Sequence, residues 1–394
     1  MKLAKLSLAA IVAVGAMTTF ASAAPLEEAI KGVDLKGWVR YRVDMNDNGT
    51  SNNIAGENHR FSGVFTFTAP VTDEVKSVLT LRYDDLDIAG SSTGPTAASD
   101  KNFVVSQAYF QYKASGFTVN VGKMLIGSPW TYNNALDGQT GNGILALYTG
   151  VEGWTFAGAS FFNTGGGGRV TANNTSKNLL NDDENLYAIA AIGSMGPVNA
   201  QVWAGKKTHV FDSVFAELST KFAGFSLKGQ VNHLKLADEV KPVGLVPGVL
   251  DSRDDTGLFW AVQAGYAAAG ASVNVGYIRT DKDMGIHAVA ADHAMIRAGK
   301  QAYGSYVNQR DAKTMFVTAG YKFDKYSVGA GYVDSELGSS VAPTGEDTLA
   351  KEYYVEAGYA YSKNFSVSTY YSDLDRKRAI TENKRFRIEG VYRF

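Results

Sequence analysis

Residues Lys384–Phe394 read KRFRIEGVYRF, and the chain ends on the terminal phenylalanine of this stretch. Such strict alternation is the period of a β-strand whose two faces meet different surroundings. The intervening positions carry most of the charges, so one face suits an apolar medium and the other suits water. The apolar face consists of glycine and large apolar residues: Phe386, Ile388, Gly390, Tyr392 and Phe394.

The same two-residue period recurs in seventeen earlier segments between Asp34 and Leu374, among them Asp34–Asp44 and Asn58–Ala69. The composition agrees with this pattern, because 42 glycines, 21 tyrosines and 20 phenylalanines stand against only 8 prolines. No window after Ala24 has the 18 consecutive apolar residues of a transmembrane helix. We therefore predict an all-β fold of eighteen strands.

The connections between these segments alternate in length. Short ones, such as Ala114–Ser115 and Ser362–Lys363, alternate with long ones, such as Leu86–Lys101 and Asp281–Asp311. The link near Lys207–His209 is brief, although the alternation of lengths calls for a long connection at this place. Even strand number, short periplasmic turns and long outer loops are typical of bacterial outer-membrane barrels. The sequence thus predicts an 18-stranded antiparallel transmembrane β-barrel.

Charge placement also favours a membrane barrel over a soluble β-sandwich. A charge that faces lipid at mid-depth costs roughly 2–4 kcal/mol. The apolar faces of nearly all the segments lack charges in their middle, and the charges fall on the opposite faces. A closed barrel also leaves no unpaired strand edge to protect.

The N-terminus has the features of a cleaved export signal. Lys2 and Lys5 precede an apolar run, Leu6–Phe20, and Ala21-Ser22-Ala23 matches a cleavage site. We predict a signal peptide at residues 1–23 and a barrel domain at residues 24–394. The expected location is the outer membrane of a Gram-negative bacterium, with membrane lipid as a partner.

One long connection has an unusual composition. Residues 125–143 read LIGSPWTYNNALDGQTGNG and lie between two strand-like segments. A structureless stretch of this length inside a compact fold is usually functional. We expect this third loop to fold into the lumen and narrow it.

Three blocks of sequence resemble the campylobacter-type major outer-membrane porins. They are MKLAKLSLAA at the start, APLEEAIKGVDLKGWVRYRVD after the signal peptide, and WTYNNALDGQTGNG in the third loop. The resemblance implies a homotrimeric porin with an inward third loop, through which ions and small hydrophilic solutes diffuse. The C-terminal stretch that ends on Phe394 separately resembles the terminal signal that outer-membrane barrels present to their insertion machinery. Asp137 corresponds to an aspartate of a calcium site in that family, so calcium is a possible metal, and no other cofactor is expected.

The side chains expected to line the pore lie on four strands and on this loop. Closure of the barrel would place the first and last strands side by side, and the next two strands would follow. The arginines would face the polar loop and create a transverse field that favours polar solutes. Basic wall residues predict anion preference, whereas acidic outer loops and the family resemblance favour cations. The expected lining residues are Arg40, Arg42, Arg60, Arg82, Trp130, Asn133, Asn134, Asp137, Arg385 and Arg387.

Other functions have weaker support in the sequence. The net charge of -1 gives no reason to expect a nucleic-acid partner, and the absence of cysteine excludes cysteine-based metal sites. No Ser–His–Asp set can be nominated, so an enzyme is not expected. The alternatives are a substrate-specific outer-membrane channel or, with less support, a barrel enzyme or an adhesin.

Overall fold

Eighteen antiparallel strands form one continuous sheet that closes on itself. The computed structural model describes residues 32–47, 56–87, 103–131, 136, 138–165, 185–238, 255–282, 295–301, 311–337, 348–377 and 383–394. The strands are β1 (Asp34–Asp47), β2 (Gly56–Pro70), β3 (Val75–Asp87), β4 (Val104–Ala114), β5 (Phe117–Leu125), β6 (Thr140–Tyr148), β7 (Trp154–Gly165), β8 (Leu186–Met195), β9 (Val198–Lys207), β10 (Phe211–Phe222), β11 (Phe225–Leu236), β12 (Thr256–Ala268), β13 (Ala271–Thr280), β14 (Lys313–Phe323), β15 (Tyr326–Leu337), β16 (Thr348–Ala360), β17 (Phe365–Lys377) and β18 (Asn383–Arg393).

The ring closes where β1 pairs with β18. In that register Tyr41 lies opposite Gly390, and every other strand pairs with its neighbours in the sequence. The predicted antiparallel barrel of eighteen strands is confirmed. Among the residues that the structure describes, no helix is both long and apolar enough to cross a membrane.

The short connections are tight turns. Ser115, Ala223 and Ala269 have left-handed backbone with φ of 49°, 50° and 49°, and a glycine with positive φ follows each of them. Two successive residues with positive φ match the twist of the flanking antiparallel strands. The brief link at 208–210 is also present, and His209 there has a φ of 56°.

Large apolar side chains cover the outer surface. Phe222 is 78% exposed, and Ile189 and Phe225 are 65% and 62% exposed, as suits contact with lipid rather than water. Near the short turns, aromatic rings follow one another around the barrel, as in the aromatic girdles of outer-membrane barrels. Successive centroids in one such row, Tyr321, Phe323, Tyr326 and Tyr359, lie 5.8, 5.5 and 4.9 Å apart.

The inner face is not polar all the way round, which differs from the expectation of a wet, charged wall. On β10–β15 many inward side chains are apolar and form one buried cluster. They are shielded from water because two segments of the outer connections lie against them inside the barrel. Members of this cluster with less than 8% exposure include Phe211, Phe215, Leu234, Phe259, Ile278 and Phe316.

Candidate pore and its inward segments

The third loop leaves β5 and first packs against the inner wall. Its neck is closed by a hydrogen bond from the Ile126 amide to the Gln139 carbonyl at 2.9 Å. Inside the neck, the side chains of Ser128 and Thr131 hydrogen-bond each other at 3.0 Å, and Thr131 also donates to the Ile126 carbonyl. These local bonds hold a compact turn that presents Trp130 to the wall.

Trp130 anchors this turn. Its indole Nε1 donates to Asn232 Oδ1 on β11 at 2.8 Å, and its ring meets Trp203 of β9 edge to face at a centroid distance of 6.4 Å. The side chain is only 1% exposed. Burial of a tryptophan removes 150–250 Å² from water, which is worth on the order of 4 to 6 kcal/mol at most. Loop and wall are thus firmly joined at this point.

Farther along, the same loop contacts a different part of the ring. The carbonyl of Leu136 accepts a hydrogen bond from Arg82 Nη1 on β3 at 2.5 Å. Strands β3 and β11 are eight apart in a ring of eighteen and therefore stand nearly opposite each other. The third loop therefore contacts two facing parts of the wall, through Trp130 and through Leu136.

Residues 295–301, here called the second inward segment, come from the connection between β13 and β14. Met295, Ile296 and Ala298 are 3%, 5% and 4% exposed and belong to the buried apolar cluster. The Ile296 amide donates to Gln230 Oε1 on β11 at 2.6 Å. This end of the segment therefore stands on the same strand that holds Trp130.

The other end of the second inward segment is fixed by a buried carboxylate on β16. Glu352, with no exposed surface, accepts hydrogen bonds from the Lys300 amide at 2.6 Å and the Gln301 amide at 3.1 Å. The Ser372 hydroxyl of β17 donates to the same carboxylate at 2.6 Å. Hydrogen bonds to a charged group are worth about 1.5–3 kcal/mol each, so this contact is strong.

Only glycine fits where the segment meets this carboxylate. Gly299 has a φ of +82°, and a Cβ placed there would lie 2.3 Å from Glu352 Oε2. Gln301 then reaches farther, and its Nε2 donates to the Asn383 carbonyl on β18 at 2.7 Å. The segment therefore runs from β11 to β16–β18.

The wall left between the two inward segments consists of β18, β1 and β2. Arg42 Nη2 lies 2.8 Å from Glu389 Oε2, and Arg387 Nε lies 2.5 Å from Asp44 Oδ1. These pairs form because Arg42 is opposite Glu389 and Asp44 is opposite Arg387 in the register of β1 with β18. We call the following side chains of these strands, together with Asp84 of the neighbouring β3, the ion-pair wall: Arg40, Arg42, Asp44, Arg60, Asp84, Arg385, Arg387 and Glu389.

Two arginines of the ion-pair wall have few partners of their own. Arg40 Nη1 is 4.0 Å from Glu389, and its Nε has no hydrogen-bond partner among the described atoms. Arg385 Nε donates to the neutral Asn46 amide oxygen at 2.6 Å. Arg60, by contrast, is held by Asp84, with Nε 2.6 Å from Oδ1. The wall has six cations when Arg82 is included and three carboxylates, so it stays basic.

The structure brings the six expected arginines onto adjacent strands β18, β1, β2 and β3. It gives two of the expected lining residues other surroundings: Trp130 is packed into the wall, and Arg82 holds the third loop. Asn133, Asn134 and Asp137 lie outside the described residues. Calcium at Asp137 thus stays a prediction.

Among the residues that the structure describes, no three Asp, Glu or His side chains form a group that could hold an ion, and Asp137 itself is outside them. The Arg82 guanidinium also occupies the carbonyl of Leu136, the residue before Asp137. No step of the proposed transport depends on calcium.

Sequence reasoning missed the second inward segment. One available sign was the run Met295-Ile296 in a long outer connection that also contains Met284, Ile286 and Val289. Large apolar residues in a loop favour burial against another surface. The surface itself could not be predicted, because Gln230 and Glu352 are 66 and 52 residues away from their partners in the chain.

A family model described as Campylobacter major outer membrane protein matches residues 1–392. No curated protein matches the chain. The matched range includes the third loop, the ion-pair wall and the second inward segment.

Solved structures with the same architecture come from other bacteria. Acinetobacter baumannii OccAB1 has 13% identity and a TM-score of 0.74, over 92% of this chain and 96% of that chain. Pseudomonas aeruginosa OccK9 (OpdG) has 14% identity and a TM-score of 0.73, over 93% and 99%. OpdK of the same organism, solved with vanillate, has 12% identity and a TM-score of 0.71, over 92% and 99%. At these identities the likeness shows the fold alone.

Proposed function

The chain belongs to the Campylobacter major outer membrane protein family and is an outer-membrane porin of a Gram-negative bacterium. We propose that ions and small hydrophilic solutes diffuse through an aperture between the third loop, the second inward segment and the ion-pair wall. The two inward segments stand on the apolar side of the lumen, so the water path follows the charged side. No catalytic step is proposed.

One observation carries this proposal. Both inward segments stand on β11, at Asn232 and Gln230, and from there they reach different parts of the ring, β3 and β16–β18. The space that they leave free faces β18, β1 and β2. Charged side chains at such a constriction determine which solutes enter. The pairing of arginines with carboxylates there favours polar, hydrated solutes over apolar ones.

Reconstitution of the purified protein in planar bilayers tests this proposal. We expect stepwise currents in KCl, a reversal potential in a salt gradient that reports the net charge of the aperture, and vesicle swelling in small sugars. Sugars of increasing size should be excluded at a sharp limit. Bilayers that stay silent and vesicles that stay impermeable would contradict it.

Trimer assembly is part of the same proposal. The outer face of β2 carries Phe61, which is 43% exposed, together with Phe65 and Phe67. Such a ring-rich apolar face could pack against a second barrel as well as against lipid. We expect Phe61→Leu and Phe65→Leu together to lower the temperature at which an oligomer dissociates on a gel. An unchanged oligomer would place these rings against lipid.

A second candidate function is a channel specific for one class of solute. OpdK, one of the structurally similar barrels, was solved with vanillate. Block of the current by one solute at low concentration would favour this candidate over general diffusion.

A further inference from the structure

A cavity of about 330 Å³ lies between the second inward segment and strands β16–β18. Its volume is at the lower end of the range for small-molecule sites. Resting on the proposed function, we propose that this cavity binds small organic carboxylates as they pass through the barrel. The charged groups that line it are Arg297, Lys300, Arg385, Arg387, Glu356 and Glu389.

The charge balance of the cavity favours an anion. Four cations face two carboxylates, and both carboxylates are already engaged. Glu389 is held by Arg42, which is outside the cavity, at 2.8 Å, and Glu356 is held by Lys300 at 2.6 Å. The cations are engaged as well, since Arg387 pairs with Asp44, also outside the cavity, at 2.5 Å. An anion that enters therefore meets Arg385, which no described carboxylate pairs.

Arg385 is the group best placed to bind a carboxylate. Its neutral neighbours are the Asn46 amide oxygen and the Tyr370 side chain, and no ion pair of the described residues includes it. A guanidinium has five N–H donors in a planar fork that fits a carboxylate with two parallel hydrogen bonds. Asn46 accepts from its Nε and the Tyr370 side chain also hydrogen-bonds it, which leaves further N–H donors for a carboxylate in the cavity that Arg385 lines.

Lys300 adds a second cation whose position is fixed. Its ammonium lies 4.8 Å from the centroid of the Tyr354 ring and 5.5 Å from that of Tyr370. Its backbone is tied to Glu352, and the neighbouring Gly299 admits no side chain there. The cation therefore stays at the cavity instead of moving into bulk water, which lowers the cost of binding.

The site stands in the wall of the aperture rather than apart from it. Arg387 and Glu389 line the cavity and are also members of the ion-pair wall. A carboxylate that occupies the cavity should therefore reduce the current of smaller ions. Binding and block are two readouts of the same occupancy.

The test uses succinate as the probe and the full-length reconstituted protein. We measure the dissociation constant of succinate calorimetrically in detergent and, separately, the succinate concentration that halves the chloride current in bilayers. Arg385→Gln should raise the dissociation constant and the half-blocking concentration about tenfold or more. Lys322→Gln is the matched control, since it removes one cation from β14 outside the cavity, and it should change both values less than twofold.

Three outcomes are distinguishable. Equal succinate affinities for the wild type and Arg385→Gln, or an equal loss in Lys322→Gln, would overturn the carboxylate site while chloride currents still support the porin. A wild type that binds succinate but conducts no chloride would instead overturn the proposed transport. If Arg385→Gln does not fold, as judged by its heat-modifiable gel mobility, Lys300→Gln tests the same cavity from outside the strands and should weaken binding several-fold.

Discussion

Gln230 and Asn232 lie two residues apart on the inner face of β11, and each holds a different inward segment. Gln230 Oε1 accepts the Ile296 amide at 2.6 Å, and Asn232 Oδ1 accepts the Trp130 indole at 2.8 Å. Both side chains are buried, with 5% and 0% exposure. A single strand thus sets the position of both boundaries of the aperture.

The first prediction concerns these two anchors. Asn232→Leu keeps the number and branching of the side-chain heavy atoms but leaves the Trp130 indole N–H without its acceptor, which costs about 1–3 kcal/mol. Because 1.4 kcal/mol is a factor of ten in an equilibrium, the third loop should leave the wall at least several times more often. We expect greater open-channel current noise and a larger mean conductance in KCl.

Gln230→Leu removes the acceptor of the Ile296 amide and should therefore loosen the second inward segment rather than the third loop. Asn274→Leu is the control, because Asn274 lies on the inner face of β13 and bonds Thr318 rather than an inward segment. Quiet, wild-type currents in Asn232→Leu, or equal noise in Asn274→Leu, would show that Asn232 does not hold the loop.

The second prediction uses the close approach of Trp130 to β9. A Cβ at Gly205 would lie 2.4 Å from Trp130 Cζ3, whereas a Cβ at Gly229 would meet nothing within 4 Å. Gly205→Ala should therefore push the indole away from the wall into the lumen and narrow the aperture, while the barrel remains closed. The measurement is the size limit for sugars in vesicle swelling, which should fall.

Gly229→Ala is the matched control, since it adds the same methyl group to a strand without a contact. It should retain the wild-type size limit. A limit that stays the same in both variants would mean that Trp130 tolerates the methyl group in place.

The strand number, the closure of the ring and the basic wall could be predicted from the sequence because each depends on a local pattern. Alternation identifies which face of Lys384–Phe394 meets lipid, and closure then brings Arg387 beside β1. The pairing of Arg387 with Asp44 could not be predicted, because a shift of two residues in register keeps the same faces and changes every partner.

The contacts between the inward segments and the barrel wall could not be predicted from the sequence for a related reason. Trp130 and Asn232 are 102 residues apart, and no period relates a loop residue to a strand on the far side of the ring. The apolar inward residues of β10–β15 also break the simple rule that the inner face is polar. Phe215 and Phe259 satisfy a packing requirement that exists only once the two segments have folded in.

The third prediction tests the assignment of the two faces on one strand. Val317 of β14 is 40% exposed on the outer face, and the next residue, Thr318, faces the lumen, where its hydroxyl accepts from Asn274 at 3.3 Å. Val317→Lys places a charge against lipid and should cost about 2–4 kcal/mol if the site is near mid-depth. Thr318→Lys should cost much less because its ammonium reaches water.

The measurement is the free energy of unfolding from lipid vesicles in guanidinium chloride. The pair of variants is matched in charge and differs by one position in the chain. Equal losses in the two variants would contradict the assignment of faces on β14.

The fourth prediction concerns the balance of charge at the ion-pair wall. Glu389 accepts from Arg42 Nε at 2.9 Å and from Nη2 at 2.8 Å, and it is also the nearest carboxylate to Arg40. Glu389→Gln removes this carboxylate and leaves two guanidinium groups uncompensated, so the reversal potential in a KCl gradient should shift toward chloride. Arg42→Gln should shift it toward potassium, because Glu389 then keeps only the Arg40 contact at 4.0 Å.

Salt concentration separates this electrostatic effect from a change in shape. The Debye length is about 10 Å at 0.1 M and about 3 Å at 1 M, so both shifts should shrink as the salt concentration rises. Glu336→Gln is the control, since it removes the same charge from a pair with Lys313 outside the ion-pair wall. Shifts of the same sign in Glu389→Gln and Arg42→Gln, or shifts that persist undiminished at 1 M, would mean that these side chains alter the width of the aperture rather than its field.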